Sequence, residues 1–382
     1  MPSRKRTSQN ILDFIYDYGI SSFEEVPFFD LDAAVFAQLA YIEIERCLPI
    51  NDKFKPARLQ LVLSNYLSTV RLEDVEYTLK GDDALALAVM GSKRYKDVEV
   101  HRVKKVDSTT ENIQFYGIEF ILPNRLIVVS YRGTDFSITG WEENADLACY
   151  SSISGQKLAA TFLQESILEY PEYPFEVVGH SKGGNFAVFA ASLLSEEENK
   201  RLMNVYSFDG PGLLKEMVDF VGHHRILDKI VHIVPNEDVV GMLFNHEEPN
   251  YIVESSASGD FIASHYIMNW KVDGDHFVKA KELTPISKTM SEAFDKLFDD
   301  YLSEQKMRLE FFGFFFETIN KLGITNPQSV FDSPVNFFLS FSNAVRKSPN
   351  KKIFIGFLKA YISYFGTSLM KGKSRNKNGR KK

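Results

Sequence analysis

The spacing of apolar residues changes along the chain and predicts separate regions. Over residues 11–46 apolar side chains recur every three or four positions, which predicts helices, and residues 51–94 read as further helices. Short β-branched and aromatic runs then alternate with helical segments, until helical spacing alone returns at residue 285. The pattern predicts four parts: an N-terminal helical region packed on the body (1–95), a strand-and-helix core (96–284), a C-terminal helical extension (285–370) and a basic tail (371–382).

Strands and helices of the core are predicted to alternate. Helices at 156–168, 185–194 and 213–221 separate the later strands. The predicted strands are 113–122 and 126–131, paired as a hairpin around Pro123-Asn124, and then 175–178, 205–208 and 230–234. Such alternation predicts an α/β fold with a mostly parallel sheet and helices on both faces. Ligands of such sheets bind beyond the carboxyl ends of the strands, so residues that follow a strand are the functional candidates.

The strand at 175–178 runs directly into a glycine-rich turn and then into a helix. A serine with glycines two positions away on each side permits the tight, strained turn that exposes a nucleophilic hydroxyl. The turn contains six residues: Gly179, His180, Ser181, Lys182, Gly183 and Gly184. We therefore predict Ser181 as a nucleophile, held by an elbow of four residues: Gly179, His180, Gly183 and Gly184.

A nucleophilic serine needs an orienting carboxylate and a base, which follow it along the chain in this architecture. Asp238 comes just after the strand at 230–234 and is the preferred acid. Asp209, in the segment SFDGPG, is the alternative, although these residues equally suit a structural turn. His265 is the preferred base because it precedes the apolar run YIMNW, and His276, in a turn, is the alternative.

Acyl transfer also needs two N–H groups that stabilise the oxyanion. The N–H of Lys182, which follows the nucleophile, is one candidate. The segment YRGTDF follows the strand at 126–131, and Thr134 in it is the other candidate, the alternative being a structural turn. Chemistry of this kind requires no metal and no organic cofactor. Cys47 and Cys149 indicate neither a zinc site nor a disulfide framework.

The chain resembles the class 3 lipases in two segments taken together, IVVSYRGTDFSITGWEENADL and VVGHSKGGNFAVFAA. The resemblance is closer still to a family of uncharacterised bacterial lipase-like α/β hydrolases that carry G-H-S-K-G-G-N. It implies an α/β-hydrolase fold and, at the matching positions, five roles: Ser181 as nucleophile, Asp238 as acid, His265 as base, and Thr134 and Lys182 as oxyanion donors.

The resemblance also implies a lid and a class of substrate. Residues 137–147 match the lid segment, with Ile138, Trp141 and Leu147 as its apolar face. The implied function is a serine esterase or lipase that hydrolyses acyl esters of lipid-like substrates. A thioesterase or acyltransferase would use the same residues, and a non-catalytic membrane-surface or interaction protein on this fold is the remaining alternative. Lys182 stands where the lipases usually have Leu.

Charge and end sequences bear on location and partners. The net charge of the chain is −7. Because the last twelve residues carry seven basic side chains and no acidic one, the rest of the chain is more acidic than this value indicates. Such an acidic body argues against specific nucleic-acid binding. No signal peptide is evident at the start of the sequence, which favours a cytoplasmic protein. Aromatic helices next to the basic tail suggest peripheral contact with the inner membrane face. The alternatives are helices that cover the hydrolase body and a tail that is simply solvated.

Overall fold

The structure is a computed structural model, and it describes residues 10–42, 44–48, 56–69, 81–135, 137–324, 334–347, 351 and 354–355. The basic tail at 371–382 and most of the aromatic stretch at 353–370 lie outside the described residues. Predictions about those segments therefore remain predictions.

A central eight-stranded sheet organises the described chain. Its strands are β1 (Ala57–Arg58), β2 (Glu99–Ser108), β3 (Ile113–Ile121), β4 (Ile127–Tyr131), β5 (Phe175–His180), β6 (Leu202–Phe208), β7 (Ile230–Pro235) and β8 (Asn250–Val253). They lie in sequence order, β1 to β8, across the sheet. Strands β1 to β4 pair antiparallel and strands β4 to β8 pair parallel. The predicted mostly parallel α/β-hydrolase sheet with helices is thus confirmed.

Helices precede, interrupt and follow the sheet. The first group is α1 (Ile11–Tyr18), α2 (Asp30–Leu39), α3 (Leu59–Thr69) and α4 (Asp82–Met90). The second is α5 (Ile138–Cys149), α6 (Ser154–Glu169), α7 (Lys182–Ser192), α8 (Glu196–Asn199), α9 (Lys215–Val218), α10 (Val221–Ile226) and α11 (Phe261–His265). The last is α12 (Pro285–Tyr301), α13 (Gln305–Lys321) and α14 (Pro334–Lys347), and a two-stranded ribbon, β9 (Val272–Asp273) with β10 (His276–Phe277), precedes it.

Alternate residues of each strand feed two cores, one on each face of the sheet. Val129 and Val177 face the core built with α6 and α7. Val128 and Val178, their neighbours, face the core built with the N-terminal helices. The period-two alternation of a strand explains this division, since successive side chains point to opposite faces. The helices before residue 95 therefore pack on one face of the sheet, together with residues 267–277.

Local sequence patterns missed several elements. Strand β2 was not predicted because its sequence EVHRVKKVDS is polar and its side chains are mostly half-exposed. Strand β8 was missed because it is short and only its last residue is buried. The predicted helix at 213–221 is wrong as one element: the chain forms α9 and then α10, which begins at Val221.

Aromatic residues of the C-terminal helices pack mainly on one another. The cluster comprises six buried residues: Leu302, Phe311, Phe314, Phe341, Val345 and Phe354. One contact with the body comes from Gln305 at the start of α13, whose side-chain N–H donates to the Cys149 carbonyl at the end of α5 (2.9 Å). Among the residues that the structure describes, no helix has the length and apolar character needed to cross a bilayer.

Candidate active site

The glycine-rich turn forms a strained strand-to-helix junction. Strand β5 ends at His180, α7 begins at Lys182, and Ser181 between them has φ 58° and ψ −131°. A left-handed φ at a non-glycine residue costs on the order of 1–3 kcal/mol and persists only where packing holds it. Gly183 is required here, because a Cβ at this position would lie 2.1 Å from the Tyr131 carbonyl oxygen. The half-buried Ser181 is thus held at the carboxyl end of β5.

A histidine and a carboxylate from two later segments meet beside this turn. His265, the last residue of α11, bonds through Nδ1 to Oδ2 of Asp209 at 2.6 Å. Asp209 directly follows β6 and also has a positive φ, 49°. The His265 ring lies 4.5 Å from the ring of His180, the residue before the predicted nucleophile. With Nδ1 donating to Asp209, Nε2 of His265 is the nitrogen left to accept a proton.

Asp238, the preferred acid in the sequence, contacts Asp209 rather than His265. The Gly241 N–H donates to Oδ1 of both Asp209 (2.9 Å) and Asp238 (3.0 Å), which draws the two buried carboxyl groups together. Their side chains are hydrogen-bonded to each other, so one of them must carry a proton. The preference for Asp238 as the partner of His265 is therefore corrected to Asp209, the alternative.

Burial determines which of these groups are charged. It raises the pKa of Asp209 to about 6 against the opposing effect of the Asp238 hydrogen bond. Burial, reinforced by the neighbouring Asp209, holds the pKa of Asp238 well above its usual range, so Asp238 is the protonated partner. Burial also lowers the pKa of His265 to about 4. At neutral pH the imidazole is then neutral and Asp209 is mainly ionised, which are the states that a base and its orienting acid require.

The two predicted oxyanion donors, Thr134 and Lys182, both lie next to the elbow. Gly133 is pressed against the elbow, since a Cβ there would lie 2.8 Å from the Ser181 Cβ. Within the described residues, the backbone N–H groups of Thr134 and Lys182 make no hydrogen bond, and neither does the Ser181 hydroxyl. The Thr134 hydroxyl donates to Asn144 of α5 at 2.9 Å. Two free N–H groups next to a serine leave room for a ligand oxygen, and catalytic hydrogen bonds often shorten only when substrate binds.

A tyrosine from the N-terminal region connects the segments around the serine. The Gly133 N–H donates to the Tyr41 hydroxyl (3.2 Å), which bonds to Nδ1 of His180 (2.7 Å). Nε2 of His180 bonds in turn to the His265 carbonyl at 2.8 Å. Because a carbonyl only accepts, Nε2 carries the proton and Nδ1 accepts from Tyr41. His180 thus links the oxyanion segment to the segment that carries His265.

Lys182 turns its side chain away from the serine into a buried polar site. Its Nζ donates to the Gln114 carbonyl oxygen (3.0 Å) and Oε1 (3.1 Å) and forms an ion pair with Glu143 in the middle of α5. Both charged side chains are only 1% exposed. Burial lowers the pKa of Lys182 and raises that of Glu143, and the ion pair opposes both shifts. The helix that contains the predicted lid is thereby tied to the elbow.

The remaining predicted residues differ in where they lie. His276, the alternative base, lies on the β9–β10 ribbon with its side chain 63% exposed and bonded to Asp275. Leu147 of the predicted lid is buried, whereas Ile138 and Trp141 are half-exposed. Tyr41, Gln114 and Glu143 were not predicted at all. Of these three, only Glu143 could have been inferred from the sequence. A lysine in a buried elbow needs an anionic partner, and the acidic pair Glu142-Glu143 lies in the predicted lid segment.

Fungal lipases with solved structures align with parts of the chain. A mono- and diacylglycerol lipase from Aspergillus oryzae aligns at 17% identity and a TM-score of 0.40, over 77% of this chain and 95% of its own. Lipase II from Rhizopus niveus aligns at 15% identity and a TM-score of 0.39, over 67% of this chain and 88% of its own. A lipase from Yarrowia lipolytica aligns at 14% identity and a TM-score of 0.39, over 67% of this chain and 97% of its own. Similarities this distant do not bear on what the chain does.

Comparison of sequences identifies the family. No curated protein matches the chain. The sequence model of the Mbeg1-like family matches residues 89–317, which include all the strands from β2 to β10 and both segments around the elbow. Since this match spans well over half of the 382 residues, the chain belongs to the Mbeg1-like family.

Proposed function

We propose that the protein is a serine hydrolase of carboxylic acyl esters. His265 Nε2 takes the proton of the Ser181 hydroxyl as its oxygen attacks the ester carbonyl, and the ionised Asp209 holds the imidazole through Nδ1. The backbone N–H groups of Thr134 and Lys182 donate to the oxyanion. His265 then protonates the leaving alcohol, and water releases the acyl group from Ser181 by the same steps in reverse order.

The observation that carries this proposal is the 2.6 Å bond between His265 and Asp209 beside a serine with a strained backbone. Each part alone has a structural explanation, since buried His–Asp pairs and glycine-rich turns are common. Their convergence from segments at 181, 209 and 265 is what nucleophilic catalysis requires. The second carboxyl, Asp238, supports the arrangement by sharing a proton with Asp209 and helping to fix its orientation.

Lipid-like acyl esters are the substrate class that we propose. The basis is the resemblance of the two elbow segments to class 3 lipases, together with the half-exposed Ile138 and Trp141 on α5, beside the oxyanion segment. Thioesters would react with the same residues, and an acyl acceptor other than water would make the protein an acyltransferase. The narrower likeness to bacterial hydrolases with G-H-S-K-G-G-N remains a prediction.

The test is covalent labelling by a fluorophosphonate, read by the intact mass of the purified protein. We expect one adduct per chain in the wild type, an equal adduct in Ser151→Ala, which changes an exposed serine, and none in Ser181→Ala. A panel of p-nitrophenyl esters of increasing acyl length then gives the substrate class. Absence of labelling, with and without detergent, would contradict an activated serine and favour a non-catalytic role for this fold.

A further inference from the structure

A second buried polar cluster lies outside the proposed catalytic residues, where strand β7 meets the loop that leads to β8. It consists of His232 on β7 and of His246 and Glu248 on the loop. Their side chains are 0%, 10% and 4% exposed. None of the three has a part in the chemistry proposed above, so their burial together requires an explanation of its own.

The carboxylate of Glu248 lies near Nδ1 of both imidazoles. Its Oε1 is 2.8 Å from Nδ1 of His246 and 4.0 Å from Nδ1 of His232. Oδ1 of Asn250 lies 2.8 Å from the same nitrogen of His232. The two rings stack with their centroids 4.4 Å apart and 8° between their planes. One ligand atom from each of His232, His246 and Glu248 therefore lies within 4.8 Å of the other two.

Two imidazoles and one carboxylate match the ligand chemistry of a transition-metal site. Zn²⁺ binds imidazole nitrogen and carboxylate oxygen at about 2.0–2.2 Å, which places neighbouring ligand atoms roughly 3.3 Å apart. The separations of 2.8 and 4.0 Å from Glu248 Oε1 bracket that value. We propose that His232, His246 and Glu248 bind a divalent transition-metal ion of the Zn²⁺ type.

A small cavity adjoins this site. His246 and Glu248 line it together with His223, whose side chain is buried and whose two ring nitrogens have no hydrogen-bond partner within the described part of the chain. An imidazole buried without a partner is costly and points to a ligand or ordered solvent in the space it faces. The cavity therefore leaves space for a small ligand or ordered solvent next to Glu248 and His246.

The proposed ion has a structural role rather than a catalytic one. The loop between β7 and β8 begins with Asp238 and Gly241, which contact Asp209, and ends with His246 and Glu248. An ion held jointly by His232 and the end of this loop fastens the loop to the sheet. This inference goes beyond the proposed hydrolase activity and does not depend on it.

The test uses the full chain, stripped of metal with dipicolinate and dialysed against Zn²⁺. We expect one Zn²⁺ per chain by elemental analysis and a rise in melting temperature, because an ion that binds only the folded state stabilises it. His246→Gln and Glu248→Gln should each weaken Zn²⁺ affinity by more than about a hundredfold, since even outer-shell partners of a metal are worth about 10–100-fold. His276→Gln, which alters an exposed histidine, should bind as the wild type does.

Either of two results would overturn the proposal. Wild type that binds Zn²⁺ no more tightly than His246→Gln would make the cluster a hydrogen-bonded polar core without an ion. If the variants do not fold, X-ray absorption of the Zn²⁺-loaded wild type decides, because two imidazole ligands are expected and a shell of oxygen ligands alone contradicts the site. Neither readout measures hydrolysis, so a failure here leaves the fluorophosphonate test unaffected.

Discussion

Asp209 and Asp238 lie in similar surroundings but differ in their contact with His265. Both are buried, both follow a strand, and they share the Gly241 N–H. Only Asp209 bonds to His265, and it does so from a left-handed backbone conformation, φ 49°. Asn also tolerates that conformation, so Asp209→Asn tests the charge without adding backbone strain.

We predict distinct effects of the two carboxyl groups on ester hydrolysis. Asp209→Asn should lower kcat/KM by about 10³–10⁴-fold, because the imidazole loses its orienting anion. In the wild type kcat/KM should rise from pH 5 to pH 7, as Asp209, with a pKa of about 6, ionises. The His265 pKa of about 4 puts its own ionisation below that range. Asp238→Ala removes a hydrogen bond that lowers the Asp209 pKa, so the rise should move to higher pH.

The measurement is a pH profile of kcat/KM for a p-nitrophenyl ester with each variant. Asp238→Asn retains a donor to Asp209 and should leave the profile closer to that of the wild type. Asp275→Asn, at the exposed partner of His276, serves as the control. If Asp238→Asn were as damaging as Asp209→Asn, or if the profile of Asp238→Ala moved to lower pH, the two carboxyl groups would not have these separate roles.

Some of the site could be predicted from local sequence and some could not. Ser181 was predictable because its glycines are adjacent in the chain and their backbone requirement is local. The choice between Asp209 and Asp238 was not, since it depends on which of two strand ends the short helix α11 reaches. The role of Tyr41 could not be predicted from local sequence patterns either, because Tyr41 approaches His180 only through the packing of α2 on the sheet.

At the scale of elements, the buried ion pair between α5 and the elbow constrains any lid. Removing one member of a buried pair leaves an uncompensated charge and costs about 3–5 kcal/mol, whereas replacing both with apolar residues is often neutral. We therefore predict that Lys182→Leu and Glu143→Leu each lower the free energy of unfolding by several kcal/mol. The double variant should regain most of that loss, and urea unfolding measures all three.

The matched control is the exposed pair Lys200 and Glu197, whose side chains are 69% and 82% exposed. Leu at both of those positions should change stability by less than about 1 kcal/mol. Additive losses in the Lys182 and Glu143 double variant would mean that the two side chains do not interact in solution. The backbone N–H of Lys182, the proposed oxyanion donor, is still present in every one of these variants. Hydrolysis retained by the double variant would therefore show that this N–H acts independently of the side-chain ion pair.

Elements with strong periodic patterns were predictable and polar or short ones were not. Strands β4 to β7 are almost wholly buried and read as apolar runs, which is why their alternation with helices was visible. Strand β2 carries lysines and arginine on a half-exposed surface and is specified by its pairing with β3 rather than by its own pattern. Tertiary pairing outweighs local propensity in such strands.

At the scale of the whole molecule, the described C-terminal aromatic residues pack on one another, and the basic tail at 371–382 remains a predicted membrane contact. We predict that deleting residues 369–382 weakens binding to phosphatidylglycerol vesicles by at least about tenfold, because each basic residue near an anionic surface contributes about 1 kcal/mol. Co-sedimentation at low and high salt measures this effect. A full-length variant with the tail lysines and arginines changed to Gln should match the deletion, and equal binding by all forms would mean a solvated tail.

The packing of the N-terminal helices has a consequence for how the chain is made. Asn10 donates to the Met268 carbonyl at 3.1 Å across 258 residues of sequence, and Tyr41 reaches His180. At translation rates of about 5–20 residues per second, α1 waits roughly 10–50 s on the ribosome before that partner exists. During this time the surfaces of α1 and α2 that pack on β5, β6 and the β9–β10 ribbon lack part or all of their native partners. We therefore expect the nascent chain to engage a chaperone early, and fragments that end before Met268 to aggregate.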